Sequence, residues 1–350
     1  MSIEAEERPS VTFVLFAYNQ ERFIRQAVEG AMTQTYSPLQ VILSDDCSSD
    51  KTFEIMCECA ENYFGPHEIV LNRNEKNLGV AEHINSIMKL AKGEFIVVAA
   101  GDDISRPDRT AVLVAQWLSK NRPVAICSGF ISIDDQGVSH GDPDAWYRKF
   151  MPYAGETSNE ILQRLIRKGV PALVGATEAW SKELLTQFMP LNSEVWFEDN
   201  ALSFRAWLMG GVHYLPDRLV AYRQHKSNIS NRVHTSLVAV EDIINLEKRR
   251  SVWYKRRWAV LAMHQCDLNV ALDIELVENE KYRQLSLLIA REMALLEIRS
   301  KWWESVGTSK MLKAFRLLRT DWSTPSLRWV LPRLLPLNWF ARAQLWRLAR

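Results

Sequence analysis

The chain has 350 residues, 47% of them hydrophobic and 24% charged, enough to bury a core and form one large domain with an appendage, or two domains. Lys and Arg number 43 against 42 Asp and Glu, a formal charge of +1, so neither a whole-protein preference for polyanions nor a nucleic-acid partner is expected. Five scattered cysteines exclude a disulfide scaffold, and no run of eighteen apolar residues is present to cross a bilayer. The polar start MSIEAEERPS does not read as a signal peptide, so the expectation is a cytoplasmic location.

Val11 to Ala17 is a short, nearly continuous apolar run, the pattern of a strand buried on both faces. A helix is predicted from about Glu21 to Met32, a second strand over Gln40 to Ser44, and a helix from Lys51 to Tyr63 behind a Ser49 or Asp50 cap. Glu68 to Asn72 reads as a third strand. Ile84, Ile87, Met88 and Ala91 fall at helical spacing within Val80 to Ala91. Glu94 to Ala100 is a fourth strand, Pro107 to Ser119 a helix, and Val124 to Phe130 a fifth strand. His140 to Gly155 reads as a long loop or lid, a mixed region follows to about Arg232, and the rest is helical and rich in Trp and Arg. Alternating strands and helices predict an α/β fold with a mostly parallel central sheet flanked by helices and a helical C-terminal extension. The soft boundary divides the chain into residues 1–232 and 233–350.

In a parallel sheet the ligand site lies at the carboxyl ends of the strands. Ala17-Tyr18-Asn19, Ser44-Asp45-Asp46-Cys47-Ser48-Ser49-Asp50 and Gly101-Asp102-Asp103 follow the first, second and fourth strands. A tyrosine there can stack on a nucleobase, and a carboxylate can accept from a ring N–H. Paired carboxylates can hold a hard divalent cation that neutralises a diphosphate. Each cluster alone is turn chemistry. Together, two acidic pairs facing one rim would repel each other unless something positive binds there. Glycine-rich phosphate loops are absent: Ala17 to Arg22 has no glycine, and neither G-x-x-x-x-G-K-[ST] nor G-x-S-x-G occurs.

Phe16-Ala-Tyr-Asn19, Leu43 to Thr52, Asn77-Leu-Gly-Val80, Ala91 to Phe95 and Gly101-Asp-Asp103, in that order, resemble the signature of family 2 glycosyltransferases. The resemblance spans residues 10–135 strongly and 170–230 more weakly. It implies a GT-A fold, inversion at the anomeric centre, and Mg²⁺ or Mn²⁺ as cofactor. It makes Tyr18 the base-stacking residue and Asp46 the partner of the pyrimidine ring. It places Asp102 near the ribose or metal and Asp103 on the metal. Ala100 stands where many members carry a further acid. His83-Ile84-Asn85 replaces an Ala-Arg-Asn run, leaving Asn85 as a donor-contact candidate. Trp196-Phe-Glu-Asp-Asn200 resembles the Glu-Asp motif whose aspartate is the catalytic base, here Asp199. An acidic pair at a helix N-terminus is also favourable by itself. Ala221 to Ser230 resembles a segment in which a His or Arg approaches the diphosphate or metal, making Arg223 and His225 candidates.

The implied partners are a nucleotide-sugar donor, UDP- or dTDP-linked, and a glycan or lipid-linked sugar acceptor, as in bacterial surface polysaccharide synthesis. The rival readings are a noncatalytic nucleotide-sugar-binding or scaffold protein of the same fold, and a nucleotidyltransferase, which would want a glycine-rich basic loop. From residue 310 onward nine Lys and Arg meet one acid, Asp321. With Trp302, Trp303, Trp322, Trp329, Trp339 and Trp346, this region suits peripheral contact with the inner face of the membrane; the competing expectation is a cap packed on the catalytic domain.

Overall fold

The computed structural model describes residues 8–141, 153, 155–170, 175–225, 228, 239–304, 307–320 and 324–348. Strand β1 (Val11–Ala17) is the apolar run, and it pairs in parallel with β2 (Gln40–Asp45) and β4 (Phe95–Ala100), while β3 (Glu68–Arg73) flanks β2. Period-two alternation splits these strands between two cores. Phe13, Leu15, Val41, Leu43, Phe95 and Val97 face α1 (Ile24–Met32), α2 (Thr52–Glu61) and α4 (Arg109–Ser119). Val14, Ile42, Ile96 and Val98 face α3 (Val80–Ile87) and later helices. The expected helix to Ala91 ends at Ile87. There the Gln40 side chain captures the chain, donating to the Leu90 carbonyl at 3.1 Å and accepting from the Lys92 N–H at 2.9 Å.

The eight-stranded sheet runs β3-β2-β1-β4-β7-β6-β8-β5, with β5 (Ile104–Ser105), β6 (Ala125–Ile133), β7 (Glu178–Ser181) and β8 (Val212–Arg223). Only β7 and β5 run against the rest, so the sheet is mostly parallel, as expected. Strand β7 lies between β4 and β6 and sets Glu178 opposite Cys127.

Helix α5 (Ser158–Lys168) begins with a capping box between Thr157 and Glu160. It packs with α7 (Glu198–Leu208), α8 (Val240–Asp273) and α9 (Asn279–Ser300) in a third core containing Ile161, Phe204, Leu261 and Leu285. A short helix, α6 (Glu183–Thr186), follows β7. Val260 and Met263 of α8 also enter the core beneath β4 and α3, so these helices share their apolar interior with the sheet. The boundary at residues 232 and 233 lies outside the described residues, as does most of the 140–155 loop.

Helices α10 (Gly307–Thr320), α11 (Thr324–Arg333) and α12 (Leu337–Leu348) close the chain. Trp302 is fully buried with its Nε1–H donating to the Arg333 carbonyl, Trp303 donates to Glu247, and Trp329 donates to the Tyr254 hydroxyl. These three indoles are packing residues of a helical cap. Trp339 is exposed; Trp322 and the Trp346 side chain lie outside the described residues.

Candidate active site

The carboxyl ends of β1, β2 and β4 meet on one rim because the three strands run in register: Ala17 sits opposite Asp45, and Phe16 opposite Ala100. Asn19 adopts φ 53°, which asparagine tolerates, and its Oδ1 accepts from the Ser49 N–H at 2.9 Å. The Asn19 N–H donates to Ser48 Oγ at 2.8 Å, so the loops after β1 and β2 are laced together. Tyr18 stands beside this lacing with 48% of its surface open.

The two acids after β2 differ from expectation. Asp45 is fully buried: its carboxylate accepts from the Ser48 N–H at 2.9 Å and from the Ser48 hydroxyl, and lies 3.5 Å from Arg73 Nε. Asp46 Oδ1 accepts from Asn74 Nδ2 and the Leu78 N–H, and its Oδ2 from the Gly79 N–H, at 2.7 to 2.9 Å. This pair is therefore balanced within the protein, and Asp46 keeps only a remaining Oδ2 lone pair for a ring N–H. Beneath it Ser44 Oγ and His83 Nε2 are 2.5 Å apart, and burial lowers the His83 pKa.

After β4, residue 101 must be glycine. A Cβ there would stand 2.4 Å from Gln20 Oε1 and 2.8 Å from Ala17 Cβ. The tight passage delivers Asp102 and Asp103, both buried. Asp103 Oδ1 accepts from the Arg223 N–H at 2.7 Å, while its Oδ2 is buried with no hydrogen-bond partner. Burial, reinforced by Asp102, pushes the Asp103 pKa well up. An orphaned carboxylate oxygen of this kind is what a cation would satisfy. Among the described residues no three His, Cys, Asp or Glu side chains are placed to hold one metal ion. One or two carboxylates nevertheless suit Mg²⁺, which takes its remaining ligands from water and substrate phosphates.

Three expected contacts are redirected. His225 Nε2 is 3.0 Å from Asp102 Oδ2, so histidine and acid pair with each other instead of joining Asp103 in a three-ligand set. The Arg223 guanidinium, buried over the Phe23 ring, donates to the carbonyls of Asp102, Asp134 and Asp135 and to Gln26 Oε1. It is a clamp that holds the Asp102–Asp103 turn. Asn85 Nδ2 donates to the Leu191 carbonyl and its Oδ1 accepts from the Leu191 N–H, which ties α3 to the loop before α7.

Asp199 sits in the first turn of α7, as the motif predicts. That helix is fixed by Arg205, which donates to Asp267 Oδ2 at 3.0 Å, and by Asn200, which accepts from Arg257 and faces His264 Nε2 at 3.1 Å. Glu198 and Asp199 are partly open to solvent yet walled in by protein. Burial raises Asp199 to about 6. Burial, and then repulsion from Asp199, raises Glu198 to about 8. The two carboxyls titrate as a pair, and their repulsion disfavours ionising both.

A third carboxyl here escaped the sequence reading. Glu178 on β7 is 1% exposed, and its Oε2 has no partner. Burial and repulsion from Glu198 push its pKa well up. Gly175 makes room for the cluster, since a Cβ there would stand 3.2 Å from Glu198 Oε1 and 3.9 Å from Glu178 Oε1. Arg109 links the two acidic groups. Fully buried, it donates to Ser105 Oγ and to the Val98 and Ala176 carbonyls, and its charge favours the ionised forms of both Asp103 and Glu178. An isolated acidic residue in a four-residue strand carries no motif, so only the position of β7 could reveal Glu178.

The arrangement joins an exposed aromatic ring and a carboxylate pair on one rim to a raised-pKa carboxylate on a neighbouring helix. Among curated proteins, the chain is similar to the putative glycosyltransferase EpsE of Bacillus subtilis, 32% identical over 131 residues, which are 37% of this chain and 46% of that one. It is also similar to the succinoglycan biosynthesis protein ExoO of Rhizobium meliloti, 26% identical over 209 residues, 59% of this chain and 54% of that one. The chain spans less than two thirds of the length of both of these relatives. In fold it resembles the crystal structure of S. aureus TarS 1–349, with a TM-score of 0.56 at 17% identity, covering 97% of this chain and 92% of that one. The fold is thus of the GT-A type. The model of glycosyl transferase family 2 matches residues 12–185, and this chain belongs to that family.

Proposed function

We propose that the protein is an inverting glycosyltransferase that moves a sugar from a UDP- or dTDP-linked donor to a hydroxyl of a glycan or lipid-linked acceptor, in bacterial surface polysaccharide synthesis. The observation that carries the reading is the division of the acids. Asp103 keeps a buried, unpartnered oxygen at the end of β4, while Asp199 is held near a pKa of about 6 at the start of α7. TarS, whose fold the chain shares, has been solved with UDP and with UDP-GlcNAc, which supports a nucleotide-sugar donor.

In this reading the exposed Tyr18 ring stacks on the base, and the remaining Asp46 acceptor faces its ring N–H. Asp103, with Asp102 beside it, would hold Mg²⁺ or Mn²⁺, whose charge offsets that of the leaving diphosphate. Asp199 takes the proton of the acceptor hydroxyl as the new bond to the anomeric carbon forms. Repulsion between Glu198 and Asp199 favours a single negative charge on the pair.

No helix among the described residues is long and apolar enough to cross a membrane. Exposed Met311, Leu312 and Phe315 on α10, together with Trp339, lie among Lys313, Arg316 and Arg342, a composition that supports peripheral contact with an anionic lipid surface. The function is tested by incubating the protein with a panel of nucleotide sugars and Mg²⁺ or Mn²⁺ and following release of the nucleoside diphosphate. Turnover of one donor is the expected result. Binding without any turnover, with or without acceptor glycans, would favour the noncatalytic reading.

A further inference from the structure

Beside the base stands a pair that the donor chemistry does not use. The Arg256 guanidinium lies 3.3 Å from the centroid of the Trp196 ring. Trp196 still has 46% of its surface open. It precedes Asp199 by three residues, and Arg256 lies on α8, whose next residue, Arg257, donates to Asn200 at 3.2 Å. The pair is therefore held against the first turn of α7.

The neighbouring cations are engaged elsewhere. Lys255 is 3.7 Å from Glu304, and Arg257 donates to Asn200 and to the carbonyls of Leu165 and Ile166. Arg256 has no carboxylate partner among the described residues, and partial burial lowers its pKa. A guanidinium over an indole face keeps N–H donors at its edge that the ring does not use. Those donors fit the two oxygens of a carboxylate or phosphate. The open indole surface fits the C–H face of a pyranose ring, since large amphipathic aromatics supply contact area at low entropic cost.

We propose that Trp196 and Arg256 form an acceptor subsite that selects a saccharide unit bearing an oxyanion and holds it beside Asp199. Its assignment to the acceptor rests on the glycosyl-transfer reading; its preference for an acidic saccharide does not.

The test is saturation-transfer NMR on the full chain with three probes: methyl glucuronoside, glucose 6-phosphate and methyl glucoside. At least one anionic probe should bind about tenfold more tightly than the neutral one, and whichever binds better separates carboxylate from phosphate. R256Q should bring the anionic probes to the neutral level, R256K should keep part of the preference, and W196L should weaken all three. The proposal is overturned if the parent protein treats the three probes alike, including by binding none. It is also overturned if R256Q keeps the preference or W196L leaves all affinities unchanged. Calorimetry with UDP and Mg²⁺ separates the two readings. Both variants should bind UDP as the parent does, whereas a parent that ignores UDP yet prefers acidic saccharides would keep the subsite and remove the donor assignment.

Discussion

The backbone N–H of Arg223 donates to Asp103 Oδ1 at 2.7 Å, and the same residue's Nε donates to the Asp102 carbonyl at 2.9 Å. The last residue of β8 thus holds both acids of a turn that follows β4. Its guanidinium also donates to the carbonyls of Asp134 and Asp135 and to Gln26 Oε1, so R223K, with a single ammonium, would leave some of these acceptors unpaired. The expected loss is about 2–4 kcal/mol of stability, read as a lowered midpoint in thermal unfolding. An unchanged midpoint would remove the clamp from the account.

Asp103 Oδ2 is buried and unpartnered at the end of β4, the one carboxylate oxygen of the Asp102–Asp103 pair left so among the described residues. In D103N the amide replaces the charge at constant shape. Mg²⁺-dependent UDP affinity, measured by calorimetry, should fall at least about tenfold, a difference of ~1.4 kcal/mol. Equal affinity in the parent and D103N would remove Asp103 from the cation site.

Asp199 must be ionised to accept a proton. Its pKa of about 6 means that kcat/KM should rise with pH through about 6 and then level off. D199N should lower kcat by roughly 10²–10⁴ and leave UDP affinity unaltered. A variant that turns over at the parent's rate would exclude Asp199 as the base.

Glu198 links pH to stability. Its pKa is raised from the ordinary 4.5 to about 8 in the folded protein, so above about 4.5 the unfolded chain gives up a proton that the native state keeps. The native state is therefore progressively disfavoured as pH rises from about 4.5 to about 8. E198Q, neutral at every pH, should be more stable than the parent at pH 8 by on the order of 1–2 kcal/mol, discounted because the side chain is partly open to water, and no more stable at pH 4. Denaturant midpoints at the two pH values decide it; a gain of equal size at both would point to packing instead.

Tyr18, proposed to stack on the base, has an exposed ring, so its removal should leave folding alone. Y18A should weaken UDP binding by about 1–3 kcal/mol, the range for one base–aromatic stack, while Y18F should match the parent. A fall in Y18F equal to that in Y18A would assign the effect to the hydroxyl.

Much of this protein was determined by local pattern. Continuous apolar runs at Val11–Ala17 and Phe95–Ala100 have only one low-energy place, inside a parallel sheet, and that places Tyr18, Asp46, Asp102 and Asp103 on one rim before any coordinates exist. The acidic first turn of α7 was legible for a similar reason, since Glu198 and Asp199 precede an apolar helix. Which groups face the ligand was not legible. Asp45 and Asp46 are adjacent in sequence, yet one is sealed against Ser48 and Arg73 and the other holds the Asn74–Gly79 loop. Arg223 and His225 carry cationic chemistry, but buried carbonyls and Asp102 claim them. Glu178 joins Glu198 and Asp199 only because β7 inserts antiparallel between β4 and β6. Hydrophobic periodicity encodes which face of an element is buried. The partner of a polar group is settled by whichever donor or acceptor the packed chain brings within about 3 Å, and only the tertiary structure decides that.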